Sequence, residues 1–161
     1  MKLNSFKLVL ILCYSVLLTG CGAHGPAFSS VELTQSDKAL VYIYRQASFV
    51  GGANSFKIWV NDNHVTDLKN GGYYAYMADP GELSFKVKKN LDFFDVVFGG
   101  WGLHYAIWEK QKERLKINVE AGKTYYIKYE ADPESFGFNI AMLMLVDEEI
   151  GSNEIMKCQN N

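Results

Sequence analysis

The side chains that could do acid–base, nucleophilic or metal chemistry lie far apart in this sequence. His64 and His104 are not part of a His-x-x-x-His or Cys-x-x-Cys pattern, which a zinc site would use. The Gly-x-Ser-x-Gly turn of a hydrolase is absent, and Gly99-Gly100-Trp101-Gly102 lacks the Lys and the Ser or Thr of a phosphate-binding loop. Asp92 and Asp95 fit solvated surface acids. The sequence therefore predicts a protein that is not an enzyme and that needs no metal or cofactor.

The residues that precede Cys21 predict that a lipid is attached to its thiol. Lys2 and Lys7 precede an apolar run over residues 8–18, which is too short to span a bilayer but has the length of a secretory signal. The run ends in Leu18-Thr19-Gly20-Cys21, which resembles the lipobox of bacterial lipoproteins, whose cysteine thiol carries a diacylglyceryl group. We therefore predict a signal peptide over residues 1–20 and lipidation of Cys21. An ordinary secretory signal cleaved elsewhere is the alternative.

The residue after the cysteine indicates a destination. In lipoproteins of Gram-negative bacteria an Asp at this position retains the protein at the inner membrane, whereas this chain has Gly22. The resemblance therefore implies an outer-membrane protein whose domain faces the periplasm. Cys13 would leave with the signal peptide, so Cys158 would be the remaining thiol, either free in a frayed tail or bonded to another molecule.

Composition and charge indicate one ordinary globular domain. The chain has 161 residues, of which 48% are hydrophobic and 21% charged. Its formal net charge of −2 gives no electrostatic basis for a nucleic-acid partner.

Behind the lipidated cysteine, the composition separates a flexible linker over residues 21–37 from a β domain over residues 38–150. Short β-branched and aromatic runs are divided by Gly, Pro, Asn and Asp, as in an all-β protein. The predicted strands cover residues 39–45, 55–61, 64–68, 73–77, 82–89, 113–120, 124–130 and 138–146. We expect an antiparallel β-sandwich of seven or eight short strands, in which the first four form a meander and residues 121–123 form a hairpin turn. A C-terminal tail over residues 151–161 would be a short helix or coil.

Several strand and turn motifs follow one another along the chain: Ala39-Leu-Val-Tyr-Ile-Tyr-Arg, Asp67-Leu68, Gly71-Gly72-Tyr73-Tyr74, Asp79-Pro80-Gly81 and Gly122-Lys123-Thr124-Tyr125-Tyr126. In this order they resemble the domain-of-unknown-function 2846 family of bacterial lipoproteins over about residues 38–147. The resemblance implies a secreted β-sandwich behind a lipobox, without catalytic or ligand residues to carry over. The chain departs from the family between Leu91 and Lys112, where it is longer and more aromatic than the expected hairpin.

This aromatic insertion over residues 91–110 is the candidate interaction surface. Phe94, Phe98, Trp101 and Trp108 lie around a glycine-rich stretch. Three interpretations are open: the insertion covers one end of the core, contacts a protein partner, or inserts into lipid beside the anchor.

Taken together, these features predict an outer-membrane lipoprotein that is a non-catalytic structural or binding component of a cell-envelope protein assembly. The alternative is a periplasmic carbohydrate- or peptide-binding module, because sugar rings stack on aromatic faces. The side chains that would line such a face are Tyr42, Tyr44, Tyr73, Tyr74, Tyr76, Tyr126 and Trp59.

Overall fold

The computed structural model describes residues 22–33, 35–49, 52, 54–90, 113–131 and 141–161. The elements in these residues are β1 (Ala39–Tyr44), β2 (Phe56–Val60), β3 (Asn63–Leu68), β4 (Gly72–Ala78), β5 (Gly81–Lys89), β6 (Glu113–Val119), β7 (Thr124–Ala131), β8 (Ala141–Val146), α1 (Glu148–Ile155) and β9 (Gln159–Asn160). One sheet has the order β8, β7, β1, β4, β9, and the other has the order β3, β2, β5, β6. The predicted two-sheet β fold with a short C-terminal helix is confirmed.

β1 lies at the centre of the five-stranded sheet and is buried on both faces. Ala39, Val41 and Ile43 face the other sheet, whereas the residues that alternate with them belong to an apolar cluster on the outer face. Successive side chains of a strand point to opposite faces, which explains why β1 is apolar at every position. β1 pairs antiparallel with β4 but parallel with β7, and β9 is parallel to β4. The sheet is therefore mixed rather than purely antiparallel.

Alternate residues of β5 and β6 fill the space between the sheets, because apolar and polar residues alternate along both strands. Leu83, Phe85 and Val87 of β5 are buried, as are Ile117 and Val119 of β6, while the residues between them are exposed or half-buried. The two strands pair antiparallel, with Leu83 opposite Ile117. This pairing brings both ends of the segment between β5 and β6 to the same end of the sandwich.

The predicted meander and the predicted hairpin at residues 121–123 are wrong. β1 and β4 pair in one sheet while β2 and β3 lie in the other, and the turn after β6 leads into β7 of the opposite sheet. A two-residue turn with positive φ joins neighbouring strands, and Asn61 (φ 46°) with Asp62 (φ 67°) makes one between β2 and β3. The longer connection over residues 45–55 instead crosses between the sheets.

The N-terminal segment, residues 22–33, and α1 cover the outer face of the five-stranded sheet. Beneath them lies an outer cluster made of Leu40, Tyr42, Tyr44, Tyr73, Tyr126, Ile155 and Cys158. Phe28 and Leu33, from the stretch predicted as a linker, pack against this cluster. This part of the predicted linker is therefore bound to the sheet, because its few apolar side chains cover aromatic residues that would otherwise face water.

The sandwich has two chemically different ends, named here after one residue of each. At the Asn70 end, β1 and β7 finish, β4 begins, and the chain leaves β5 at Asn90 and enters β6 at Glu113. At the Asp62 end are the turns at residues 61–62, 79–80 and 120–123.

Candidate functional site

The N-terminal segment is hydrogen-bonded to the fold from the first residue that the structure describes. Gly22 forms a parallel β-bridge with Asn70, and the backbone N–H of Ala23 donates to the carbonyl of Asn70 at 2.9 Å. Gly25 and Asn160 are joined by a further backbone hydrogen bond of 3.1 Å. Residue 21 therefore adjoins a fixed position at the Asn70 end.

The ring of Phe28 fixes the same segment to the outer cluster. Its centroid lies 5.4 Å from that of Tyr42 and 5.1 Å from that of Tyr73, both in edge-to-face geometry. Aromatic pairs of this geometry add to the stabilisation from area burial alone. The backbone N–H of Val31 also donates to the Tyr42 hydroxyl at 2.8 Å.

The side chain of Asn70 connects this segment to the loop after β1. Its Oδ1 accepts from the backbone N–H of Ser48 at 2.9 Å, and its Nδ2 donates to the carbonyl of Ser48 at 3.0 Å. The backbone N–H of Gly52 donates to the carbonyl of Phe49 at 3.3 Å and closes the tip of this loop. The Phe49 ring is fully exposed to solvent. Asn70 thus holds an exposed aromatic residue close to the N-terminal segment.

Arg45 supports the base of this loop from inside the fold. Its guanidinium lies 5.1 Å from the ring centroids of both Phe56 and Tyr129, and its Nη1 donates to the carbonyl of Asn54 at 2.6 Å. Burial lowers the pKa of Arg45, although an arginine remains protonated in proteins. A cation over two aromatic rings is stabilised by their quadrupoles, so Arg45 fixes the position at which the loop leaves β1.

An open cavity of about 290 Å³ lies beside Arg45. It is lined by Arg45, Gln46, Ala47, Ser48, Lys128, Tyr129 and Glu130. Lys128 is engaged there by two carboxylates, Glu130 at 2.9 Å and Glu154 at 3.0 Å. The Tyr129 hydroxyl is buried without a hydrogen-bond partner among the described residues. The charged groups of the cavity are therefore occupied largely in holding β1, β7 and α1 together.

Glu154 joins α1 to the five-stranded sheet. Its Oε2 accepts from the Tyr44 hydroxyl at 2.7 Å, and its Oε1 accepts from Lys128 Nζ. Burial alone would raise the pKa of Glu154, but the hydrogen bonds from Tyr44 and Lys128 outweigh burial and leave the pKa below its usual value. The ionised carboxylate is thus favoured in the folded state.

We expect Glu154→Gln to reduce the free energy of unfolding at pH 7 by about 1 to 3 kcal/mol, because charge-assisted hydrogen bonds are lost. A carboxyl group whose pKa is lower when folded stabilises the fold above its unfolded pKa and loses this contribution as pH falls through the folded pKa. Urea titrations from pH 7 to pH 3 should therefore show a smaller loss of stability below about pH 4.5 in the variant than in the wild type. Equal slopes in the two proteins would contradict the role assigned to Glu154.

Cys158 has a free thiol, but it is buried in the outer cluster, so the expectation of a frayed tail around it is wrong. It is 1% exposed, and its Sγ lies 3.6 Å from the carbonyl oxygen of Arg45. Burial raises the pKa of the Cys158 thiol to about 11, so little reactive thiolate forms at neutral pH. The backbone around it is held too, because its carbonyl accepts from the N–H of Phe28.

The tyrosines proposed for a carbohydrate-binding face do not form one exposed surface. Tyr42, Tyr44, Tyr73 and Tyr126 are all at least nine-tenths buried, whereas Tyr74, Tyr76 and Trp59 are half-buried. A sugar can stack only on a ring face that it can reach. Most of these residues instead stabilise the outer layer, which removes the structural basis for the carbohydrate hypothesis as it was framed.

His64 lies on the exposed strand β3. Its Nε2 is 2.9 Å from Asp67 Oδ1, and its ring meets that of Trp59 edge-on at 5.5 Å. Among the described residues, no group of three or more His, Cys, Asp or Glu side chains is arranged to hold a metal ion. His104, the other histidine considered in the sequence, lies outside the described residues.

Several predicted site residues also lie outside the described residues. They are the lipidation site Cys21 and the aromatic residues Phe94, Phe98, Trp101 and Trp108. The described chain nevertheless shows where their segments begin and end: Gly22 follows Cys21, and the insertion is bounded by Asn90 and Glu113. All three boundaries lie at the Asn70 end.

Phe49 and Asn70 were not among the candidate site residues that the sequence indicated. The signal for Phe49 was an aromatic residue and a Val inside an otherwise polar and glycine-rich stretch, Gln46-Ala-Ser-Phe-Val-Gly-Gly-Ala-Asn-Ser. Asn70 carried no such signal, since its hydrogen bonds to a segment 22 positions earlier depend on the tertiary fold.

A family model described as "Protein of unknown function (DUF2846)" matches residues 35–139, about two thirds of the chain. No curated protein matches the sequence significantly. Within the described residues, no helix combines the length and the apolar character that a membrane span requires.

Proposed function

Since the chain belongs to the DUF2846 family of proteins of unknown function, we propose its role from its own residues. The protein is a lipid-anchored, non-catalytic binding component of a bacterial cell-envelope assembly. Cys21 carries the lipid, and the β-sandwich faces the periplasm from the outer membrane.

The observation that carries this proposal is the continuity between the predicted lipid site and the fold. The residue after Cys21 is bridged to Asn70, and the segment up to Phe28 is hydrogen-bonded to the C-terminal strand. A lipid on Cys21 would therefore restrain the whole domain at the membrane. The basic residues, the short apolar run and the Leu-Thr-Gly-Cys ending support the lipid itself.

The environment of the buried polar groups supports a non-catalytic role. Arg45 lies over two aromatic rings, Lys128 and Glu154 bridge α1 to the sheet, and the pKa of Cys158 is raised by burial. Each of these groups is used to stabilise the fold. A catalytic group would instead face a substrate with a pKa suited to proton transfer or attack.

The binding contact of the proposed component is the aromatic insertion over residues 91–110, with Phe94, Phe98, Trp101 and Trp108 as its candidate residues. Trp, Tyr and Phe are enriched in protein interfaces. The insertion lies in the connection from β5 to β6, which pair directly with each other. A contact surface carried in such a connection can vary without altering the pairing of the two strands.

We expect Cys21→Ser to abolish lipidation and to leave the protein unprocessed or soluble, because the thiol is the group that accepts the lipid. The measurement is palmitate labelling with membrane fractionation and an intact mass. Cys158→Ser is the matched control and should fractionate like the wild type, since that thiol is buried. Recovery of a fully processed Cys21→Ser protein in the outer-membrane fraction would refute the lipid anchor.

A further inference from the structure

We propose that the Asn70 end of the sandwich lies against the membrane, with the Phe49 ring in the lipid interface beside the acyl chains on Cys21. This inference rests on the proposed lipid anchor and adds an orientation to it. The partner is a bilayer surface that contains anionic phospholipids.

The first support is the fixed exit of the N-terminal segment. Gly22 is bridged to Asn70, so a lipidated residue 21 can lie only a few ångströms from this end, given about 3.8 Å between consecutive Cα atoms. A long flexible tether would leave the orientation free. Here the hydrogen bonds from Ala23 and Gly25 to the fold prevent that freedom.

The second support is the position of Phe49. Single exposed apolar residues are common on protein surfaces, but among the described residues Phe49 is the most exposed of the large apolar side chains. Ser48, its neighbour, is held by both polar atoms of Asn70, the residue that also binds the N-terminal segment. Asn70 therefore positions both the loop that carries the Phe49 ring and the segment that follows Cys21. Aromatic residues favour the membrane interface, and a second membrane contact strengthens a lipid anchor.

The third support is the difference in charge between the two ends. Lys57 and Lys88 face each other across β2 and β5 near the Asn70 end, and Lys69 follows β3 there. Asp67 is 3.9 Å from Lys57, and Glu130 and Glu154 are both paired with Lys128. With the buried Arg45 also counted, this end keeps an excess of positive charge. Basic side chains near a bilayer are attracted to anionic headgroups.

The Asp62 end has the opposite character. Asp147, Glu148 and Glu149 are exposed where β8 passes into α1. The acidic residues of the neighbouring turns are paired with lysines, as Asp79 is with Lys38 at 2.5 Å. This end therefore carries an excess of negative charge, which an anionic bilayer would repel, and it faces away from the membrane in the proposed orientation.

The orientation also locates the proposed protein contact. Residues 91–110 begin after Asn90 and end before Glu113, both at the Asn70 end. Both ends of the insertion would therefore lie on the membrane side of the sandwich in this orientation.

The test uses the full-length, lipidated protein in vesicles of phosphatidylethanolamine and phosphatidylglycerol. Phe49→Cys and Ala47→Cys, both at exposed positions of the loop, are labelled with an environment-sensitive fluorophore. Glu120→Cys at the Asp62 end is the matched control. Unsubstituted protein labelled in parallel measures the contribution of Cys158.

We expect a several-fold increase in fluorescence and strong quenching by spin-labelled lipid for both loop variants, and neither effect for Glu120→Cys. Equal signals at the two ends in protein that carries its acyl groups would overturn the orientation but leave the lipid anchor intact. Shielding of the loop in native membranes but not in pure vesicles would also overturn it, in favour of a protein partner. An intact mass without acyl groups would overturn the anchor and the orientation together.

Discussion

Truncation of Phe85 to alanine is expected to lower the free energy of unfolding by about 3 to 5 kcal/mol. The side chain is fully buried between the sheets, opposite Leu115 of β6 and Val60 of β2. Its removal would forfeit apolar burial and leave a cavity that the strands cannot close. Ile127→Ala, also fully buried, should cost about 2 to 5 kcal/mol, and Ile117→Ala should lie in the lower part of that range because Ile117 is slightly exposed. Urea unfolding at neutral pH measures all three.

The matched controls lie on the opposite face of the same strands. Lys116 is half exposed and 3.5 Å from Glu82, and Lys86 contacts Asp62 at the surface. Exposed ion pairs contribute little, so Lys116→Ala and Lys86→Ala should remain within about 0.5 kcal/mol of the wild type. Greater damage from the lysine substitutions than from the apolar ones would mean that the register of β5 and β6 is wrong by one residue.

The period-2 pattern was sufficient to predict which residues of β5 and β6 face the core. Leu83, Phe85 and Val87 alternate with polar residues, and only one register buries all three. Local turn chemistry likewise explains the turn between β2 and β3, because Asn and Asp tolerate the positive φ that it requires. These features depend on neighbouring residues, which a single sequence shows directly.

Such local patterns could not predict which strands pair with each other. β1 and β7 are separated by about half of the chain, yet they lie side by side and parallel. A parallel pair has no turn between its strands to signal it. The crossing at residues 121–123 has the same Gly that a hairpin would use, since a φ of 75° at Gly122 suits either connection.

The burial of the outer cluster could not be predicted from the sequence for a related reason. Tyrosines such as Tyr42 and Tyr126 fit both a half-exposed and a buried strand position, and only the segment packed on top decides between them. Gly151 of α1 shows how close this packing is, because a Cβ there would lie 2.3 Å from the Cβ of Tyr126. A glycine inside a short helix is unfavourable by itself, so its benefit appears only after α1 is placed on the sheet.

One part of the candidate site could be predicted from local sequence, whereas the other part depends on the tertiary fold. Lipidation of Cys21 was predicted from adjacent residues, and it remains a prediction. The role of the Asn70 end depends on Asn70 contacting both Ser48 and the segment after Cys21. This is a long-range contact that no single motif encodes, which is why Phe49 attracted no attention in the sequence.

Replacement of residues 91–110 by a short Gly-Ser linker is expected to abolish binding of the protein partner while leaving the sandwich folded. β5 and β6 already pair from Gly81 opposite Val119 to Lys86 opposite Glu113, so a linker from Asn90 to Gln111 can close them as a hairpin. Loss of Phe94, Phe98, Trp101 and Trp108 would remove the aromatic contacts that interfaces favour. Pull-down from detergent-solubilised membranes should therefore recover the partner with the wild type and lose it with the variant.

Thermal unfolding of the same variant separates a contact surface from a cover for the core. A contact surface contributes little to folding, so the melting temperature should stay within about 4 °C of the wild type, the shift that corresponds to about 0.5 kcal/mol in a domain near this size. A segment that covers the core would expose apolar surface when removed and lower the melting temperature by several times that amount. Such a decrease, or an unchanged set of captured proteins, would contradict the assignment of residues 91–110 as the contact surface. Retention of the anchor at Cys21 in the variant serves as the internal control, because Cys21 and the signal residues before it lie outside the replaced segment.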